Sequence, residues 1–136
     1  MAMHGIDEDP TPSGTLTLQT LSMPADTNPY GDIFGGWLMS QMDIAGAIMA
    51  QEVAKGRVTT VAVGSMVFLR PVPVGATVSC YASAQEIGRT SIRTLIEVWI
   101  KVCKTGEVAK VTEGEFVYVA IDDNGRTRQV PRDSRD

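Results

Sequence analysis

Asp43 is the single charged residue in the stretch from Ile33 to Gln51. It stands in the middle of a helix-like run, where aspartate has poor propensity. Met39, Gly46, Ala47 and Ala50 surround it at helical spacing, and small side chains there would leave room for a ligand. An unpaired buried carboxylate is costly, because desolvation disfavours its ionised form. Burial would therefore tune a general base and create a cost that function must justify. The competing role is a subunit contact, with Asp43 hydrogen-bonded to backbone or amide donors.

Asn28 is the second candidate. It precedes the helix, upstream of Gly31, Gly35 and Gly36. A helix N-terminus offers free N–H groups and a positive dipole end, a place for a developing oxyanion. Glycines allow a ligand to approach the backbone. A plain turn asparagine remains the alternative.

Elimination narrows the chemistry. The only histidine, His4, lies in the N-terminal arm, so neither a Ser–His–Asp nor a Cys–His nucleophile is expected. A His/Cys zinc site is likewise not expected, and no metal is assigned. No P-loop or dinucleotide-type glycine motif is present. A carboxylate must do the acid–base work if the chain is an enzyme. Arg89, beside Gly88 and Thr90-Ser91, makes a polar turn that could hold a phosphate. The other basic residues read as solvated charge. Trp37 and Trp99 read as core or interface aromatics, and the methionines as packing.

The elements that position these residues follow from the pattern. Leu16–Leu21 reads as a short strand, and Asp26–Asp32 as a turn-rich loop. Gly35–Lys55 reads as one long helix ending at Gly56. Its apolar residues run nearly all round, which predicts burial on most sides. Val58–Leu69 reads as a long strand stopped by Arg70-Pro71, followed by strands at Ala76–Glu86, Thr90–Cys103 and Val111–Ile121. Short connections predict an antiparallel meander. One helix cannot cover both faces of such a sheet, so association through an edge or face is expected.

The 136 residues suit one domain, with 1–14 as a loose arm, 15–131 as the folded unit and 132–136 as a charged tail. A net charge of -4 gives no nucleic-acid footprint. The helix carries polar residues and lacks a basic flank on its N-terminal side, so no membrane span is expected. Cys80 and Cys103 lack CxxC spacing and read as reduced, packed thiols in a cytoplasmic protein with no secretory signal.

The stretches MPADTNPYGDIFGGWLMSQMDIAGAI, TVAVGSMVFLRPVPVG, GRTSIRTLIEVW and DDNGRTRQVPR resemble the YciA-type acyl-CoA thioesterases of the hotdog superfamily. The resemblance covers about Leu16–Pro131. It implies an α+β hotdog fold, a long central helix wrapped by a five- to six-stranded antiparallel sheet. It also implies a dimer with active sites at the subunit interface, often assembled into a trimer of dimers. In this family the residue matching Asp43 is base or nucleophile, and that matching Asn28 contributes from the partner subunit. The amides matching Gly35 and Gly36 form the oxyanion hole. Coenzyme A contacts carry over to Arg89, Thr90 and Ser91, with Ser65 as a further substrate contact. Coenzyme A is then part of substrate and product, and no cofactor is implied. Relatives often have an acid where this chain has Gly64, which would alter site polarity or acyl preference.

Hydrolysis of acyl-CoA is the expected reaction, through activated water or a mixed anhydride. A hydratase on this fold usually relies on histidine, and His4 is badly placed for it. A non-catalytic acyl-CoA binding or sensor module would keep the pocket without requiring an acid inside it.

Overall fold

Alternating threonine and leucine in Thr15–Leu21 build β1, and the helix α1 follows at Gly35–Ala54 after the turn-rich loop. This computed structural model describes residues 11–135; His4 and most of the N-terminal arm lie outside them. The strands after the helix are β2 (Val58–Val63), β3 (Thr77–Ile87), β4 (Ser91–Lys101) and β5 (Val108–Ala120). Lys55, in the left-handed conformation, ends the helix, and its N–H bonds Gln51 O.

All pairings are antiparallel, in one five-stranded sheet ordered β1-β3-β4-β5-β2. Only β3, β4 and β5 form a meander. Contrary to the simple meander expected, β2 crosses to the far edge and pairs with β5, while β1 occupies the edge of β3 that β2 would have taken. The strand expected to run to Leu69 ends at Val63. Beyond it the chain keeps only spaced bonds to β5, from Gly64 N to Glu115 O (2.8 Å) and from Leu69 N to Val111 O (2.8 Å).

The helix packs on one face of the sheet. Leu38, Met42, Ala45, Ala50 and Ala54 meet Ile92, Ile96, Val98, Phe116 and Tyr118, all within one buried cluster. The alternation of Ile92, Thr94, Ile96, Val98 and Ile100 in β4 supplies that inner face. The helix is not enclosed on most sides, however: Met39, Ile44 and Ile48 remain 37%, 48% and 36% exposed. Val61 and Val63 on the β2 edge are exposed as well. Together they give an apolar surface of the kind a second copy would cover.

The opposite sheet face carries a sealed charged group. Lys110 Nζ lies 2.8 Å from Glu113 Oε1 and 3.6 Å from Glu97 Oε2. Trp99 Nε1 donates to Glu97 Oε1 at 2.9 Å, and Ser13 N donates to the same oxygen at 3.1 Å. Trp99 thus serves this outer face, whereas Trp37 packs against the core. Cys80 is buried, but Cys103 is exposed rather than packed, since it falls beyond the end of β4 at the Lys104-Thr105-Gly106 turn. The C-terminal Arg132–Arg135 forms a helical turn, with Asp133 paired to Lys55 at 2.8 Å.

Candidate active site

Asp43 sits on α1 facing the end of β5 and the edge strand β2. Thr60 Oγ1 donates to Asp43 Oδ1 at 2.7 Å, and the Tyr118 hydroxyl lies 3.0 Å from that oxygen and 2.8 Å from the Asp43 carbonyl. The unpaired, fully buried carboxylate expected from the sequence is therefore corrected on two counts. Asp43 is half-buried, and two hydroxyls hold one of its oxygens. Oδ2 accepts no hydrogen bond from any described residue. Tyr118 is fully buried, and burial first, then the charge and hydrogen bond of Asp43, push its hydroxyl well above the usual phenol range. It stays protonated and a donor.

The small helix residues also divide differently from expectation. Gly46 faces Tyr118 rather than a ligand: a Cβ there would lie 3.0 Å from the ring Cζ and closer still to the hydroxyl. Ala50 is sealed in the core. Met39 and Ala47 remain on the accessible side.

At the helix start, Phe34 provides no side-chain cap, and the amides of Gly35 and Gly36 have no partner among the described residues. Gly36 is exposed, with nothing within 4 Å of where its Cβ would be. No packing inside the chain demands glycine there, so the open space serves whatever approaches the amides. Asn28 closes the preceding loop, its Oδ1 accepting from Tyr30 N (2.9 Å) and Asp32 N (3.1 Å). The turn role thus occupies the amide oxygen, while Nδ2 donates to no described residue. Asn28, Gly35, Phe68 and Arg70 line a cavity of about 360 Å³.

One chain does not bring the two groups together. Gly35 and Asp43 are eight positions apart on one helix, about 12 Å at 1.5 Å per residue. A carboxylate and an amide pocket at that separation do not meet at one carbon within the chain.

The Gly88–Ser91 turn lies at the sheet end nearer the helix C-terminus. Its carbonyls are engaged by neighbours: Val130 N bonds Arg89 O at 2.7 Å and Ala120 N bonds Thr90 O at 2.9 Å. The Arg89 side chain is exposed. Ser91 pairs with Val119, which pairs with Thr59, so the turn stands two strand spacings, about 10 Å, from the residue beside Thr60. Ser65 lies elsewhere, in a cavity of about 370 Å³ lined also by Gln85, Leu95, Glu113 and Glu115. Those carboxylates make it a poor neighbour for phosphate. Gly64 adjoins Glu115, with a Cβ position 3.4 Å from the Glu115 Cβ, so an acid at 64 would crowd like charge there. Among the described residues no three His, Cys, Asp or Glu side chains cluster as metal ligands would. No helix among them is long and apolar enough to cross a membrane.

Sequence reasoning missed Thr60 and Tyr118. The one available signal was Gly46, a glycine inside a long helix near Asp43, which marks the close approach of another group.

Comparison with known proteins identifies the family. The thioesterase superfamily matches residues 30–107. The Salmonella typhimurium acyl-CoA thioester hydrolase YciA is 58% identical over 126 residues, covering 90% of this chain and 95% of the relative. A hexameric broad specificity acyl-coenzyme A thioesterase superposes with a TM-score of 0.88 at 50% identity, over 94% of this chain and 88% of the other. A hexameric thioesterase from Yersinia pestis gives a TM-score of 0.85 at 57% identity, over 89% of this chain and 98% of the other.

Proposed function

The chain belongs to the thioesterase superfamily and within it to the YciA-type acyl-CoA thioester hydrolases, and on that premise we propose that it hydrolyses acyl-CoA to coenzyme A and a carboxylic acid. The observation that carries the reading is the pair of complementary half-sites. One is a carboxylate with a free oxygen on an exposed apolar helix face. The other is a set of unpartnered glycine amides at the start of the same helix, too far along it to serve the same carbon.

In the proposed site Asp43 of one chain faces Gly35, Gly36 and Asn28 of a second. The amides polarise the thioester carbonyl and stabilise its oxyanion, and the Asn28 Nδ2 donates to the substrate or the attacking water. Asp43 Oδ2 takes a proton as water attacks the carbonyl carbon. The C–S bond then breaks, and the thiolate of coenzyme A leaves with that proton. In the alternative route Oδ2 attacks first, giving a mixed anhydride that water cleaves. Arg89, with Thr90 and Ser91, is proposed to meet the coenzyme A phosphates. The acid-lined setting of Ser65 favours a contact to the acyl-pantetheine part over one to phosphate. No metal or organic cofactor enters this scheme.

The assembly proposed is a dimer that closes the exposed Met39, Ile44, Ile48 and β2-edge surface, assembled threefold into a hexamer, as in the hexameric neighbours. The cytoplasm is the proposed location.

A thiol-release assay across short, long and aromatic acyl-CoAs tests the reading, with Asp43→Asn in parallel. Turnover that collapses in the variant is expected. A folded oligomer that binds acyl-CoA but releases no thiol would leave a binding module instead.

A further inference from the structure

We propose that Tyr118 is a positioning residue for the reaction: with Thr60 it holds Oδ1 of Asp43, so that Oδ2 alone is presented to the substrate. The inference rests on the hydrolase reading above and concerns a residue outside the proposed catalytic set.

A carboxylate has two oxygens with about four acceptor sites, and either oxygen can serve as base when both are free. Here the two are unequal. Oδ1 receives Thr60 Oγ1 at 2.7 Å and lies 3.0 Å from the Tyr118 hydroxyl. These hydroxyls come from the two strands packed against that part of the helix, β2 and β5, and Thr60 and Tyr118 are paired residues in the ladder. The donors are thus built as one unit, spaced by the sheet. No Lys, Arg or His pairs with Asp43 among the described residues.

The arrangement has a cost that core packing alone does not explain. A phenol inside an apolar interior needs a partner, and the Asp43 backbone carbonyl at 2.8 Å would suffice. Yet the hydroxyl also stands within hydrogen-bond distance of the carboxylate, and the helix gives up a side chain at position 46 to admit it. A carboxylate free to rotate about its Cβ–Cγ bond would lose the aim of its reacting oxygen. The Thr60 donor, with the single Tyr118 proton shared between Oδ1 and the Asp43 carbonyl, restrains that rotation and leaves Oδ2 without a described donor, and such aim governs proton transfer.

The test uses the full-length oligomer and the kcat and KM of thiol release for wild type, Tyr118→Phe, Thr60→Val and Thr60→Ser. Tyr118→Phe is expected to lower kcat about tenfold with KM within about twofold, as loss of aim rather than of binding predicts. Thr60→Val should lower kcat likewise, and Thr60→Ser, which keeps the hydroxyl, should recover most of that loss. If Tyr118→Phe does not assemble, the two Thr60 variants carry the same readout. A folded Tyr118→Phe with wild-type kcat overturns the proposal, as does a loss confined to KM. Those results would leave the hydrolase reading intact, whereas a wild type that releases no thiol would remove both.

Discussion

Gly46 and Tyr118 compete for one volume: the space a Cβ would take on the helix is filled by the tyrosine hydroxyl and ring edge. Gly→Ala inside a helix ordinarily gains roughly 1 kcal/mol. At this position overpacking, about 1–3 kcal/mol, opposes it. Gly46→Ala should therefore lower the unfolding midpoint and, by displacing the hydroxyl from Asp43, reduce turnover as well. Denaturant unfolding checks the first, and a variant more stable than wild type would refute the packing argument.

If each site takes Asp43 from one chain and Asn28 from another, two inactive variants should rescue one another. Asp43→Asn and Asn28→Ala, unfolded and refolded together, place both lesions in one site of a mixed dimer and leave the other intact. Random pairing then restores about a quarter of wild-type activity. Restoration absent in a verified mixed oligomer would mean that both residues act within one chain.

Lys110, with only 2% of its side chain exposed, is the cation between the buried Glu97 and the partly exposed Glu113. Removing one partner of a buried pair leaves uncompensated charge and costs about 3–5 kcal/mol. Lys110→Met should thus destabilise the fold far more than its loss of volume suggests. A midpoint shift no larger than that of a surface substitution would contradict this.

The two cysteines should separate by reactivity. Burial pushes the Cys80 thiol up to about 12, while Cys103 is exposed. A disulfide-exchange reagent near neutral pH should modify one thiol in the native protein and both after denaturation. The raised value favours the neutral thiol in the folded state. That contribution is full below the ordinary thiol range and fades as pH rises towards about 12. Two fast-reacting thiols in the native state would refute the assignment of Cys80 to the core.

Much of this was legible in local pattern. The helix from Gly35, its end near Lys55, the β4 alternation and the isolated carboxylate of Asp43 all follow from short-range signals, namely periodicity, a glycine stop and one charge in an apolar run. What stayed hidden depends on pairing between distant segments. Tyr118 reads as one more apolar position in a strand, and nothing local ties it to Asp43, 75 residues earlier. Thr60 is unremarked among threonines until β2 is placed beside β5. The same crossover explains the strand that was expected to run past Val63 and the meander that was expected to include it. Cys103 was misassigned for a simpler reason: alternation cannot say where a strand stops.

The placement of β2 also orders events in time. Its partner is β5, the last strand of the sheet in sequence order, so during synthesis β2 waits as an unpaired segment until β5 has emerged. Asp43 gains Thr60 and Tyr118 only when that long-range ladder closes, the slowest kind of contact to form. A chain truncated before Val108 would carry the acid and the glycine amides yet lack the sheet edge that aims them. Competence for chemistry is in this sense a late product of folding, reached when β5 returns to pair with β2.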